Sequence, residues 1–254
     1  RCTVYYQGEE GAGLCQTEQK LPFTKTLELP SFGATAWAAC VEGQTEYLNC
    51  RAVNSRRIEV RGAYGLVVSV HAQLSTEVIT ALSEGGIEQK LTTLGGVRRA
   101  ATLEKLVTIE GALTFPKPPA AILDITGTAE VRELKRMQGK AVAKGTLRAL
   151  CAWRAEGDAA LLSQTAELPF HQIVDVEGLS EDCQCLCTLA PVGFAAAEGE
   201  TAEDGSASTT LTATALLRLS GWRPYQLQCV ADAFSTRFAA EVTPQTLATE
   251  GLLC

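Results

Sequence analysis

The chain has 254 residues, ten cysteines and a formal net charge of −7, with 46% apolar and 20% charged residues. That is enough chain for one large domain or two ordinary ones with a real core, in a globular, soluble composition. The acidic balance argues against a nucleic-acid partner, because phosphate binding needs a basic patch, and no apolar run reaches the ~18–20 residues of a membrane-spanning helix, so membrane insertion is not expected.

The chain opens in strand-like sequence, RCTVYYQ, which suggests a fragment or a processed product. GEEGAG at residues 8–13 lacks the strand-turn-helix setting of a dinucleotide loop and reads as a hairpin turn. From Ile58 the apolar residues take even positions (Ile58, Val60, Leu66, Val68, Val70), with Glu59, Arg61, Ser69 and His71 between them. That is the period of a half-buried strand, here unusually long. EGGIEQKLTTL is a weak helical candidate cut off by Gly95 and Gly96. Val107, Ile109, Leu113 and Phe115 give the next strand, which PKPP at 116–119 breaks. Leu123, Ile125, Ala129 and Val131 give another, and Leu211, Ala213, Ala215, Leu217 and Leu219 alternate with Thr210, Thr212 and Thr214 in a third. Gly62 and Gly111 are expected to mark bulges.

The chain also repeats itself. LCQTEQKLPFTKTLELP from Leu14 lines up with LLSQTAELPFHQIVDVE from Leu161, so that Leu21-Pro22-Phe23 meets Leu168-Pro169-Phe170 at an offset of 147. The same offset sets Val4 against Cys151, Tyr6 against Trp153, Leu27 against Val174 and Leu29 against Val176. Further on, VITALSE from Val78 matches VADAFST from Val230 at an offset of 152. The extra length falls in AAAEGETAEDGSAS, whose composition suggests a mobile excursion. A period of this size means tandem modules. The expected fold is all-β, with tandem β-sandwich-like modules and long antiparallel strands. Residues 1–85 would be the C-terminal part of a first β module, 86–236 a complete second one, and 237–254 a tail or the start of a further module, since AAEVTPQTL is similar to IEQKLTTL.

In EDCQCLCTL, Cys183, Cys185 and Cys187 would share one face of a strand. Their counterparts in the first copy are Ala36, Ala38 and Cys40, all small and apolar. This favours buried core filling for Cys40, Cys183, Cys185 and Cys187, with cross-linking or metal binding as alternatives. Replacing Cys183 or Cys185 with alanine would then cost only ~1 kcal/mol. Same-face sulfurs ~6.5–7 Å apart are poorly spaced for one tetrahedral ion. The chain has no CxxC, so no metal or other cofactor is expected. There is no GxSxG elbow. His71 falls on a polar face, and His171 reads as a surface residue after a Leu-Pro-Phe turn. Glu28 and Asp175 read as exposed carboxylates. No catalytic constellation emerges, and no enzyme is expected. Tyr6 and Trp153 read as core, Trp37 as exposed or interfacial, and Trp222 as the start of a turn before Pro224.

Charge differs between the copies. Arg56 and Arg57 sit in a turn of the first, and Glu198, Glu200, Glu203 and Asp204 in the corresponding loop of the second. A contact between the acidic loop of one chain and the basic turn of another would be head-to-tail and would propagate. The alternative is a solubilising linker.

GKAVAKGTLRALCAW, SQTAELPFHQIVDVEGL, the cysteine-bearing strand, LTATALLRLSGW and the DAFS at 232–235 together resemble the SPOCS domain of spore coat and envelope assembly proteins. The resemblance covers most of 86–236, with a half copy at 1–83 in which Leu82 replaces the aromatic residue of the pattern. It implies a non-enzymatic structural or scaffolding protein of a bacterial spore envelope, self-associating through its modules. Such a protein would be made in the mother-cell cytoplasm and placed at the spore surface, in the coat or outer envelope. Its partners would be itself and other spore envelope proteins. The residues alone leave open a glycan- or peptidoglycan-binding β module of a secreted or surface protein, and a metal-binding or redox protein.

Overall fold

Alternation at period two becomes strand along nearly the whole chain. The computed structural model describes residues 2–8, 14–29, 31, 36–73, 77–83, 85–155, 157–158, 160–197, 199–237, 239, 241 and 243, and has no helix among them. In chain order the strands are β1 (Cys2–Gln7), β2 (Leu14–Gln19), β3 (Ala36–Asn54), β4 (Arg57–Gln73), β5 (Ile87–Phe115), β6 (Pro119–Met137), β7 (Lys140–Ala155), β8 (Leu162–Asp175), β9 (Gln184–Ala196), β10 (Glu200–Thr201) and β11 (Ala207–Ser235). They build tandem β-sandwich-like modules from long antiparallel strands.

The complete sandwich has two sheets. In one, β11 is central, with β5 along one edge and β9 and β10 along the other. In the other, β7 lies between β6 and β8. β8 lies against β5 and β6 against β9, so the sheets stack in matching order. The core between them takes alternate residues from each strand: Ile109, Leu113 and Phe115 of β5, Leu211, Leu217 and Leu219 of β11, Leu147, Cys151 and Trp153 of β7, and Leu168 and Phe170 of β8. Alanines at 141, 143, 149, 213 and 215 are buried among these larger side chains. Phe115 meets Trp153 edge to face, centroids 4.9 Å apart.

β5 and β11 have 29 residues each, or ~95 Å at the rise of a strand. β9 accompanies β11 only as far as Trp222. Beyond it the two long strands continue as a two-stranded ribbon to Ile87 and Ser235.

The first copy repeats part of this plan. The β1–β2 register pairs Cys2 with Gln19. Moved by 147 residues it becomes the Ala149–Ala166 pair of β7–β8. The β3–β4 ladder corresponds to β9–β11, and each carries a bulge, at Glu46 and at Val192. One difference is large: among the described residues the outer edges of β1 and β4 are unpaired. In the second copy β6 and β5 occupy those edges. Several contacts tie the copies together, among them these. Tyr5 Oη donates to the Leu123 carbonyl at 3.1 Å, Arg218 reaches Glu42 at 3.2 Å, and Val230 N donates to the Ile79 carbonyl at 2.8 Å.

Several local expectations give way to tertiary pairing. EGGIEQKLTTL is not helical: its residues 87–94 open β5, which runs through Gly95 and Gly96 because β11 pairs along its whole length. Leu-Pro-Phe is not a turn. Pro169 sits inside β8, opposite Thr146, and β8 pairs only with β7, so the missing N–H leaves no ladder bond empty on a second side. Trp222 lies within β11 rather than in a turn, 5.9 Å beneath the Arg99 guanidinium. The bulges avoid Gly62 and Gly111. Gly111 instead makes room for Leu168, whose Cγ would lie 2.8 Å from a Cβ there. The acidic loop holds the short strand β10 and a turn closed by Ser206 N donating to Asp204 Oδ1 at 2.9 Å. Glu198, residues 9–13 of the GEEGAG turn and most of 237–254 lie outside the described residues.

Candidate functional site

The turn ahead of β9 concentrates the molecule's polar chemistry. Gly178, at φ +77°, turns the chain out of β8, and the Gly139 N–H donates to the Leu179 carbonyl at 2.9 Å, which holds the segment to the β6–β7 turn. Cys183 ends this turn and is not part of a strand. Its N–H donates to the Ser180 carbonyl at 3.2 Å, and its Sγ lies 3.2 Å from Ser180 Oγ. The Ser180 hydroxyl donates to Asp182 and accepts from Arg223. Arg223 Nε lies 3.1 Å from Asp182 Oδ2, and Arg136 donates to the Cys183 carbonyl at 2.6 Å.

The electrostatics follow from those partners. The Ser180 hydroxyl holds the Asp182 carboxyl below the usual range, with Arg223 assisting against desolvation. Burial raises the Cys183 thiol, but the Ser180 contacts and Arg223 outweigh it and the net shift is downward. Cys183 has no accessible surface, so its charge-tolerant setting gives no nucleophile to solvent. The arrangement works as a clasp joining the end of β6, the turn and β11.

Cys185 and Cys187 do point toward the core from β9, but they are half-buried, not fully buried as expected, because β9 is an edge strand. Cys40, in β3, is half-buried as well. Burial, then the neighbouring Cys183, raises the Cys185 thiol against the pull of Arg136. Burial, with Cys185 beside it, pushes Cys187 up to about 11, and burial, with Asp124 nearby, does the same to Cys151. A thiol raised from 9.0 to about 11 in the fold favours the folded state below pH 9 and loses that contribution as pH rises toward 11. The urea midpoint of the wild type should therefore fall further between pH 8 and pH 10.5 than that of Cys151→Val, which carries the residue of the equivalent Val4 position. Equal falls in both would show that Cys151 contributes nothing to the pH dependence.

Among the described residues, no three His, Cys, Asp or Glu side chains converge on a metal position. No helix among them is long and apolar enough to cross a membrane. Both histidines are exposed.

The charged residues singled out in the sequence lie at corresponding hairpin tips. Arg56 is in the β3–β4 turn, its N–H bonded to Asn54 Oδ1 at 2.9 Å, and Arg57 begins β4. Glu200 is in β10, and Glu203 and Asp204 are in the turn before β11. All five are exposed, and no ion pair within the chain brings the two groups together among the described residues.

The largest contrast between the copies is apolar. Leu168 and Phe170 are 0% and 6% exposed, while Leu21 and Phe23, from the same tripeptide, are each 65% exposed. Leu27 and Leu29 are exposed where Val174 and Val176 are buried, and Tyr6 is exposed where Trp153 is buried. Tyr6 is thus not core: among the described residues nothing in the first copy covers its face as β5 and β11 cover Trp153.

No family model matches the chain, and neither a curated protein nor a solved structure matches it.

The exposed residues follow β2 where β8, its counterpart, continues as strand. β8 runs to Asp175, whereas β2 stops at Gln19 and residues 20–29 carry no regular structure. Trp37, 64% exposed on β3, adds an aromatic group to the outer surface. The clasp and the uncovered face were both missed by sequence reasoning. The Ser-Glu-Asp-Cys turn was the only local sign of the first, and the second has no local sign, because the tripeptide is identical in both settings.

Proposed function

We propose that this chain is a non-enzymatic structural protein that assembles through its β modules. In the setting its SPOCS resemblance implies, it is a scaffold of a bacterial spore envelope. It would be made in the mother-cell cytoplasm and laid down in the coat or outer envelope, with further copies of itself and other envelope proteins as partners. One observation supports this reading above the others: β3, β4, β6 and β8, all long, each pair with a single neighbour among the described residues. Unpaired edges of that length are templates for pairing between chains. Sedimentation velocity over a concentration series tests it. The expected result is association that grows with concentration; a monomer throughout would overturn the reading. The charged hairpin tips supply orientation and on-rate in this scheme, each exposed pair contributing ~0–1 kcal/mol. Arg56→Glu/Arg57→Glu should therefore slow assembly at low salt and leave it unchanged at high salt.

A glycan-binding module is the second reading, favoured by Trp37, Tyr47 and Tyr64, all exposed on β3 and β4. Retention on insoluble peptidoglycan, lost in Trp37→Ala, would support it over assembly.

A further inference from the structure

One corner of the complete sandwich holds a cleft of about 640 Å³, walled by β6 and β9. The two strands are neighbours there, yet they do not pair with each other: among the described residues β6 pairs only with β7, and β9 only with β11. Both walls belong to the second copy. Residues 122–127 of β6 and 191–194 of β9 line the cleft without a gap. A sheet face would contribute every second residue, so an unbroken run marks the strand edge, where backbone N–H and C=O groups face the opening. The Leu123 carbonyl already takes a donor from outside its sheet, Tyr5 Oη. Both walls are bulged, β6 at Ala120 and Leu123 and β9 at Val192, and bulges re-aim an edge. The walls meet where Phe194 lies over Gly127, its Cζ 2.7 Å from where a Cβ would stand. At Gly193, by contrast, a Cβ would meet nothing within 4 Å.

We propose that this cleft binds one extended, basic strand of a separate polypeptide, which adds to the free edge of β6. The inference rests on the reading of the chain as a protein that assembles through open strand edges, and it names the edge and the partner. Pro191 brings β9 no N–H, so β6 is the wall that pairs and β9 the wall that packs. The lining run of β6 matches ~20 Å of partner strand at the rise of β structure. Walls on both sides admit a lone strand and not the rim of another sheet, and every described strand of this chain is already paired within a sheet. The partner is therefore a segment that is unpaired before it binds, not a strand of a second folded copy. Strand addition of this kind is a recurrent mode of peptide recognition. The charge follows from the lining. Asp124 is exposed on β6, no Lys or Arg lines the cleft, and β9 leads on to Glu200, Glu203 and Asp204. A lysine or arginine of the partner facing Asp124 supplies the counter-charge and sets the register.

The probe is the peptide acetyl-Thr-Val-Lys-Val-Thr-Val-Lys-Val-amide, added to the intact chain. Saturable binding is expected, with slowed amide exchange at residues 122–127. Glutamate in place of both lysines of the peptide, or Asp124→Lys in the chain, should weaken binding at least tenfold. Gly193→Trp should abolish binding with the melting temperature unchanged, because its side chain enters the cleft and not the core. No saturable binding, protection confined to other residues, equal binding of the glutamate peptide, or equal binding by the Gly193→Trp chain would each overturn the proposal. So would loss of the chain's own self-association in Gly193→Trp, which would put a second copy in the cleft. A chain that stays monomeric at every concentration and still binds the peptide would overturn the assembly reading and leave this one standing.

Discussion

Leu168→Ala should lower the stability of the chain by about 2–5 kcal/mol, the range for removing a fully buried leucine from a packed core, while Leu21→Ala should change it by no more than about 0.5 kcal/mol. The two residues occupy the same tripeptide, so helix or strand propensity cannot separate them. What separates them is cover. Leu168 has no accessible surface and meets β5 at Gly111. Leu21 is two-thirds exposed, so truncation leaves no cavity and removes little buried area. Urea unfolding of both variants, followed by a signal from the buried Trp153, measures the contrast. Equal losses would mean that Leu21 is covered in solution.

The second large effect concerns backbone. Gly178 and Gly139 both adopt positive φ, +77° and +71°. An alanine at Gly139 meets nothing within 4 Å, so Gly139→Ala should cost only the left-handed backbone penalty, about 1–2 kcal/mol. At Gly178 a Cβ would run into the Ala100 carbonyl oxygen of β5. Backbone oxygen cannot turn aside as a side chain can, so overpacking adds about 1–3 kcal/mol to the conformational cost. Gly178→Ala should therefore lose about 2–5 kcal/mol, and because the turn leads directly into Ser180 and Cys183, the clasp should loosen with it. Thermal unfolding of the two variants side by side decides this. Similar melting temperatures would show that the turn and β5 move apart at little cost.

The β architecture was legible where burial alternates cleanly. Val107, Ile109, Leu113 and Phe115 announce β5, and Leu211 to Leu219 announce β11, because each faces the core on one side and water on the other. Residues 87–100 were not legible. Two glycines and several polar residues give that stretch no face of its own, and it is strand only because β11 pairs with it. Pro169 misled for the opposite reason: a proline reads as punctuation, and only the edge position of β8 makes it tolerable there. The cysteine motif pointed to small side chains against the core, which holds for Cys183, fully buried in the core cluster, and in part for Cys185 and Cys187. It could not show that Cys183 sits in a polar clasp, since Arg136 and Arg223 come from residues 47 and 43 positions away from Cys183 and Ser180.

The ribbon formed by the outer ends of β5 and β11 has a mechanical consequence. The chain enters it at Ile87 and leaves it at Ser235, which face each other at the same tip. Tension carried along the polypeptide therefore loads this ladder from one end and opens it pair by pair, rather than shearing all its hydrogen bonds together. The residues beyond the sandwich, 87–100 and 222–235, would peel first and release roughly 90 Å of extended chain before force reached the packed strands. A module held at both ends of this ladder would lengthen and recoil by unzipping and zipping the ribbon while its core stayed folded.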